Sequence, residues 1–294
     1  MSRTMPEIVV LMPAYNAEKF IMRAIESLNA NTVAHDIVVM DDGSNTPVFE
    51  ALPQQDNIIV LRSDENEGVG YARNRGLKYA AEQGYKYIAW LDADDMAMSQ
   101  RLERQKAFLD QNPEIGMVGS WARIVNEEGM PQYYHNMPTD HEEITKELYY
   151  HSCIFNPSLM FRCDIVKQGV YCDFVYTSGG DWDYIRKFIK KTKIANIPEY
   201  LIDYTITMSG ITQSKPVSHM LKRDLRIQLS HANWLSPHFY FGVIKTGMNT
   251  VRMLLKIRKR HKIQQTSVPK TEALPVYIRS PLRGMVKIGE KTTD

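Results

Sequence analysis

Residues 85–104 read YKYIAWLDADDMAMSQRLER. Tyr87–Leu91 is a short apolar run rich in β-formers and reads as a buried strand. It ends directly in Asp92-Ala93-Asp94-Asp95, and a helical pattern follows with Leu102, Phe108 and Leu109 as apolar positions. Three carboxylates in four residues repel one another and give up solvation at a strand end. A hard cation relieves both penalties, because Mg²⁺ or Mn²⁺ prefers carboxylate oxygens and keeps waters or substrate phosphate oxygens as its other ligands. Ligands also bind at the carboxyl ends of strands in open α/β sheets. For this tetrapeptide alone, the competing reading is a solvated acidic turn that caps the next helix.

The same rhythm extends upstream. Glu7–Met12, Asp36–Met40 and Asn57–Leu61 read as strands. Between them lie a helix with the stripe Phe20, Ile21, Ala24, Ile25 and Leu28, for which Asn16 is a fair N-cap, and a second helix over Val69–Ala81. Strands alternating with helices at this spacing predict βαβ units and a mostly parallel sheet covered on both faces. After Asp110 the pattern becomes α+β. Ile115–Ser120, Arg123–Val125, Pro157–Arg162, Ile194–Ile197 and Leu201–Tyr204 read as short extended pieces, with helices over Glu142–Tyr150 and Gly179–Lys191.

The net charge of +2 hides a split: residues 221–294 carry 15 Lys+Arg against 4 Asp+Glu, so residues 1–220 carry 21 against 30. An acidic body with a basic tail predicts an anionic partner for the tail. Within it Phe241, Ile244, Met248, Val251 and Leu255 alternate with Lys245, Asn249, Arg252, Lys256 and Lys259 at helical spacing, and the run Arg258–Lys262 follows. Beyond Ile263 the sequence predicts an extended or disordered tail. Cys153, Cys163 and Cys172 show no metal-ligand spacing and read as structural thiols of a reducing compartment. The opening apolar run is too short for a signal peptide, and no stretch reaches the ~18 apolar residues of a membrane span.

The strand ends limit the ligand. The first ends in Pro13-Ala14-Tyr15-Asn16 without the glycines a dinucleotide fold requires, and a Walker loop is absent. Three polar ends remain, PAYN, DDGS and DADD. Asp41 or Asp42 can accept hydrogen bonds from a base edge or ribose, Tyr15 can lie against a base, and Arg73 can face a diphosphate. Each has a plainer reading as turn, cap or surface ion pair, but together they suit a nucleoside diphosphate with a bound metal.

In order and spacing across residues 8–104, the segments VLMPAYNAEKF, IVVMDDGS, NEG, ARNRGL and IAWLDADD resemble a family 2 glycosyltransferase of the GT-A fold. Asn156–Arg162 and Gly180–Tyr184 match more weakly, and the resemblance spans residues 6–215. It implies a catalytic domain over 1–220, with a donor half at 1–110 and an acceptor half at 111–220; the charge and helical spacing add a basic helical extension at 221–294. It also implies inverting transfer of a hexosyl or N-acetylhexosaminyl group from a nucleotide sugar, expected to be a UDP-sugar, to a glycan or lipid-linked acceptor in surface polysaccharide or lipopolysaccharide synthesis. Residue by residue, Pro13, Ala14, Tyr15, Glu18, Asp41, Asp42, Arg73 and Asp92 fall to the donor and Asp94 and Asp95 to Mn²⁺ or Mg²⁺. Asp181 falls to the general base. Asp41 is expected on the base, and Asp92 or Asp94 on the ribose.

Two positions depart from the family pattern. Gly180 stands where a Glu usually precedes the base, and Tyr204-Thr205-Ile206-Thr207 replaces Tyr-Arg-x-His, which removes a possible histidine contact to the metal. These departures keep a sugar-nucleotide-binding or scaffold protein with a decayed site in play. A nucleotidyltransferase is less favoured, because PAYNAE is not a basic glycine-rich phosphate loop. The cationic amphipathic helix predicts peripheral attachment to an anionic membrane on its cytoplasmic face. Nucleic acid is disfavoured, because the tail has no interleaved aromatics and no known nucleic-acid module.

Overall fold

The computed structural model describes residues 4–174, 176, 178–207, 216–263, 277–280 and 284–287. Its first strand, β1 (Ile8–Ala14), pairs in parallel with β2 (His35–Asp41), and β2 with β3 (Ile58–Arg62). On the other side of β1 lies β4 (Tyr87–Trp90), also parallel. The helices α1 (Ile21–Asn29), α2 (Val69–Gln83) and α3 (Arg101–Gln111) complete the crossovers. Alternation along β1 assigns its side chains to two cores. Ile8, Val10 and Met12 pack with Ile21, Ile25 and Leu102 on one face of the sheet, and Val9 and Leu11 pack with Ala72 and Leu77 on the other. Gly76 lets α2 sit close to the sheet, since a Cβ there would lie 2.7 Å from Met40 Sδ.

The second half extends the same sheet. Strand β5 (Met96–Ala97) follows the DADD turn. Strands β6 (Ile115–Val125), β7 (Pro131–His135), β8 (Met160–Arg162) and β9 (Lys193–Thr205) give the order β7-β6-β8-β4-β1-β2-β3, with β9 parallel to β6 and antiparallel to β5. Two expectations change here. Ile115–Ser120 and Arg123–Val125 form one strand, and so do Ile194–Ile197 and Leu201–Tyr204. The reason is a pair of register shifts around Trp121, which absorb Pro198 and Glu199 as an irregularity within continuous pairing.

Around this sheet lie α4 (His141–Glu147), capped by Asp140, α5 (Cys163–Lys167) and α6 (Gly180–Phe188). Two longer helices follow, α7 (Val217–Ser230) and α8 (Pro237–Ile263). The expected boundary at residue 220 falls inside α7, whose Ile227 and Gln228 are buried against the body. The expectation for the tail beyond Ile263 falls mostly outside the described residues. Within them, β10 (Tyr277–Ser280) pairs antiparallel with β11 (Gly284–Lys287) and parallel with β7.

Candidate active site at the strand ends

Strands β1, β2 and β4 end together, so PAYN, DDGS and DADD become neighbours. Asn16 is not the helix cap its sequence position predicts. It takes a positive φ of 49°, donates its backbone N–H to Ser44 Oγ at 3.0 Å and accepts from Asn45 N at its Oδ1 at 2.9 Å. It therefore clasps the first loop to the second, and α1 starts at Ile21 without a side-chain cap.

Asp41 and Asp42 hold these loops from inside. Asp41 is fully buried. Its Oδ1 accepts from Ser44 N at 3.0 Å, and its Oδ2 from Val48 N at 3.1 Å and from the Arg62 guanidinium. Burial alone would raise its pKa, but these donors from Ser44, Val48 and Arg62 outweigh burial and hold it below the usual value. Asp42 accepts from Glu67 N at 3.1 Å and Gly68 N at 2.8 Å, which fixes the entry to α2. Both carboxylates thus hold the loops in place, and Tyr15 is exposed among them. Pro13 is half-buried, Ala14 is buried, and Glu18 is exposed in the turn before α1.

The DADD turn divides its carboxylates by environment. Asp92 is half-buried and pairs with Arg73 at 3.2 Å. Burial works against the Arg73 charge, but Asp92, then Cys172 and Asp181, outweigh it and raise its pKa. Arg73 Nε is buried with no hydrogen-bond partner among the described residues. Burial and then the Asp92 charge push Asp94 up to about 6. Burial, then Asp94 and Asp92, push Asp95 well above the ordinary carboxylate value, although its Oδ1 accepts from Thr205 N at 2.7 Å. Arg101, fully buried nearby, donates to Trp90 O at 2.7 Å, and burial lowers its pKa to about 9.

This donor set fits a divalent cation shared with a ligand. The carboxylates are desolvated and mutually repelling, a penalty that a divalent cation would relieve. Of the pair expected to face a metal, Asp94 is half-buried. Asp95, buried and bonded to β9, fixes the turn.

Asp181 lies in the first turn of α6. The helix is entered through Gly179 at φ 67°, with no side-chain cap, so Asp181 is not held as a cap. Among the described residues its carboxylate has no hydrogen-bond partner, and its charge acts on Arg73 and Tyr204, which also feel Asp92. Asp183 is buried on the other side of α6, 2.7 Å from His231 Nε2 and 2.9 Å from Lys187 Nζ. Burial opposes its charge, but His231 and Lys187 outweigh that and lower its pKa. At Gly180 a Cβ would lie 3.2 Å from Tyr176 Cβ, so Tyr176 packs against the place where the family carries Glu.

Several supporting residues were not read from the sequence. Arg23 of α1 donates to Glu127 O at 2.7 Å and reaches Asp94 O and Thr205 Oγ1, tying DADD to the end of β9. Asn74 exchanges hydrogen bonds of 2.8 and 2.9 Å with the Cys172 backbone, pinning the loop that leads to α6, and Phe174 of that loop stacks on Tyr71 at 3.9 Å. Tyr204 sits among four carboxylates. Its pKa is raised by burial and then by Asp95, Asp92, Asp181 and Asp94. The ARNRG segment and the Tyr-Thr-Ile-Thr match held signals for Asn74 and Tyr204. Arg23 had none, because its partners lie more than 70 residues away.

A mostly parallel sheet with acidic strand ends and an arginine paired to them is the architecture of the GT-A fold. Residues 9–193 match the family described as glycosyl transferase family 2, and the chain belongs to that family. It is 28% identical over 253 residues to the O-antigen biosynthesis glycosyltransferase WbnJ of Escherichia coli, an alignment covering 81% of this chain and 96% of that protein. In fold it is similar to S. aureus TarS 1–349 in complex with UDP-GlcNAc, with a TM-score of 0.60 and 20% identity over 80% of this chain and 70% of that one. It is also similar to the mannosyltransferase PcManGT from Pyrobaculum calidifontis in complex with GDP-Man and Mn²⁺, with a TM-score of 0.59 and 15% identity over 82% and 69%.

Proposed function

We propose that this glycosyltransferase moves a hexosyl or N-acetylhexosaminyl group from a UDP-sugar to a hydroxyl of a glycan or lipid-linked acceptor, with inversion, in surface polysaccharide synthesis. The observation that carries this reading is that Asp181, in the first turn of α6, acts electrostatically on the arginine that pairs with the DADD turn. Arg73 pairs with Asp92 at 3.2 Å at the strand ends, and the half-buried Asp181 also raises its pKa. The nucleotide lies over PAYN with Tyr15 against its base, and its diphosphate lies between Arg73 and Asp94. The acceptor enters from the α6 side. Asp181 takes the proton of the acceptor hydroxyl as that oxygen attacks the anomeric carbon from the face opposite the diphosphate. The bond from anomeric carbon to phosphate oxygen breaks, and the electron pair leaves with the nucleoside diphosphate. Arg73 offsets charge developing there. Asp94, with Asp92 beside it, would hold a Mn²⁺ or Mg²⁺, which when bound stabilises the leaving diphosphate as a Lewis acid. The kinship with WbnJ supports the placement in polysaccharide synthesis.

A non-catalytic sugar-nucleotide-binding role is disfavoured, because Asp94, Asp95 and Asp181 are all retained in the sequence. The test is nucleoside diphosphate release from a panel of nucleotide sugars, with and without a glycan acceptor and Mn²⁺. The reading expects acceptor-dependent release and a product of inverted anomeric configuration by NMR. Retained configuration, or nucleotide binding without turnover on any acceptor, contradicts it.

A further inference from the structure

The helix α8 has two opposite faces with different surroundings. One is seated on the body. Phe239 is buried, and Thr246 Oγ1 accepts from Gln228 Nε2 at 2.9 Å. Gly242 lies so close that a Cβ would meet Tyr149 O at 2.2 Å, and His238 Nδ1 lies 2.8 Å from Tyr150 OH. The other face carries the stripe Phe241, Ile244, Met248, Val251 and Leu255, each between 51 and 61% exposed. The stripe is therefore not core, although its spacing alone fits a core helix. At its start, in the turn between α7 and α8, Trp234 is 63% and Leu235 96% exposed, and Tyr240 is also exposed. A continuous apolar surface of this kind is rare unless something covers it.

Its flanks identify the cover. Lys245 and Arg252 are exposed and lie between the apolar stripe and the seated face, at one edge of the stripe. Between Asp224 and Glu272 the sequence has nine Lys and Arg and no acidic residue. A second copy packed stripe to stripe would bring these cations together with no carboxylate between them, and an anionic surface would neutralise them. Trp and Tyr beside an apolar stripe suit the boundary between headgroups and acyl chains. No described helix is long and apolar enough to cross a membrane, so the fit is to a helix lying flat.

We propose that the outer face of α8, with the Trp234–Leu235 turn as its leading point, docks on an anionic lipid bilayer, with the stripe in the acyl boundary and Lys245 and Arg252 among the headgroups. The other face of α8 holds the catalytic body, so docking fixes how the body stands on the bilayer. This inference rests on α7 and α8 and not on the reaction assigned above.

The full chain is sedimented with vesicles of phosphatidylglycerol and phosphatidylcholine, and with phosphatidylcholine alone. Wild type is expected to bind the anionic vesicles and to release in high salt, because headgroup contacts are screened. The double variant Phe241→Asp/Ile244→Asp and the double variant Lys245→Glu/Arg252→Glu are each expected to bind at least about tenfold more weakly, in line with lost apolar insertion and lost attraction. Leu235→Glu, at a side chain that touches almost nothing, is a third probe that cannot unfold the body and is expected to weaken binding. Thermal stability and nucleotide binding of Leu235→Glu should match wild type. Absence of wild-type binding, or wild-type binding by all three variants, overturns the proposal. So does light scattering that shows a wild-type dimer made monomeric by the Phe241 and Ile244 changes, since that outcome assigns the stripe to a second copy.

Discussion

Asp183→Asn tests whether the second carboxylate of α6 is structural. In the structure Asp183 is buried and bridges α6 to the end of α7 through His231, and it also meets Lys187 one turn along. Hydrogen bonds to charged groups contribute ~1.5–3 kcal/mol and neutral ones ~0.5–1.5 kcal/mol. Asparagine keeps an oxygen for His231 but loses the charge and turns a donor towards Lys187. Lys187 is about a third exposed, so its share is discounted for solvent. The net loss is about 1–3 kcal/mol, which lowers Tm by about 2–8 °C in a chain of this size. The sign with pH follows from the lowered pKa of Asp183. Its contribution is present above the unfolded carboxylate value of ~3.9 and is lost as pH falls through the folded value. Urea unfolding at pH 7 and pH 3 measures it: the gap between wild type and variant should be full at pH 7 and smaller at pH 3. At permissive temperature, turnover of the variant should stay within about tenfold of wild type, well short of the loss of a general base. An unchanged Tm with abolished turnover refutes the assignment and moves the base to Asp183.

Two other changes probe the cluster and the docked helix. Asp94 is raised to about 6 when folded, so without divalent cation its contribution to stability is present at low pH and lost as pH rises through 6. The cation-free Tm should therefore drop between pH 5 and 7, Asp94→Asn should flatten that drop, and Mn²⁺ should raise Tm at pH 7 in wild type but much less in Asp94→Asn. Equal Mn²⁺ responses would remove Asp94 from the cation site. Gly242→Leu forces a side chain against the Tyr149 carbonyl, a backbone group that cannot yield cheaply. Overpacking of this kind takes about 1–3 kcal/mol, so the variant should lose Tm or expose α8 to protease, and a silent substitution would show that α8 is not seated as described.

The donor half was legible because its strands are covered on both faces. Runs such as Ile37-Val38-Val39-Met40 leave little choice of element, and all four parallel strands lie within a residue or two of their expected places. In the later half, β9 reads as two fragments because Pro198 and Glu199 break the apolar pattern. A register shift accommodates them in space, and it has no local signature. Asn16 was misread for a related reason. Its preference for caps and its tolerance of a left-handed conformation look alike in sequence, and only the nearness of Ser44 and Asn45 decides between them. At the site, residue types at strand ends identified the acidic cluster, but not which members face inward. Asp41 and Asp95 are set apart from Asp94 by partners 3 to 110 residues away.

The measurement that bears most directly on the central claim is turnover of Asp181→Asn at saturating donor across pH. The substitution is isosteric, and Asp181 has no partner among the described residues to lose, so folding and nucleotide-sugar binding should stay at wild-type levels. An amide cannot accept the acceptor's proton, so transfer should fall by roughly 10²–10⁴-fold with loss of the acidic limb of the pH profile. Near-wild-type transfer with that limb intact would contradict the account of this cleft as the catalytic site.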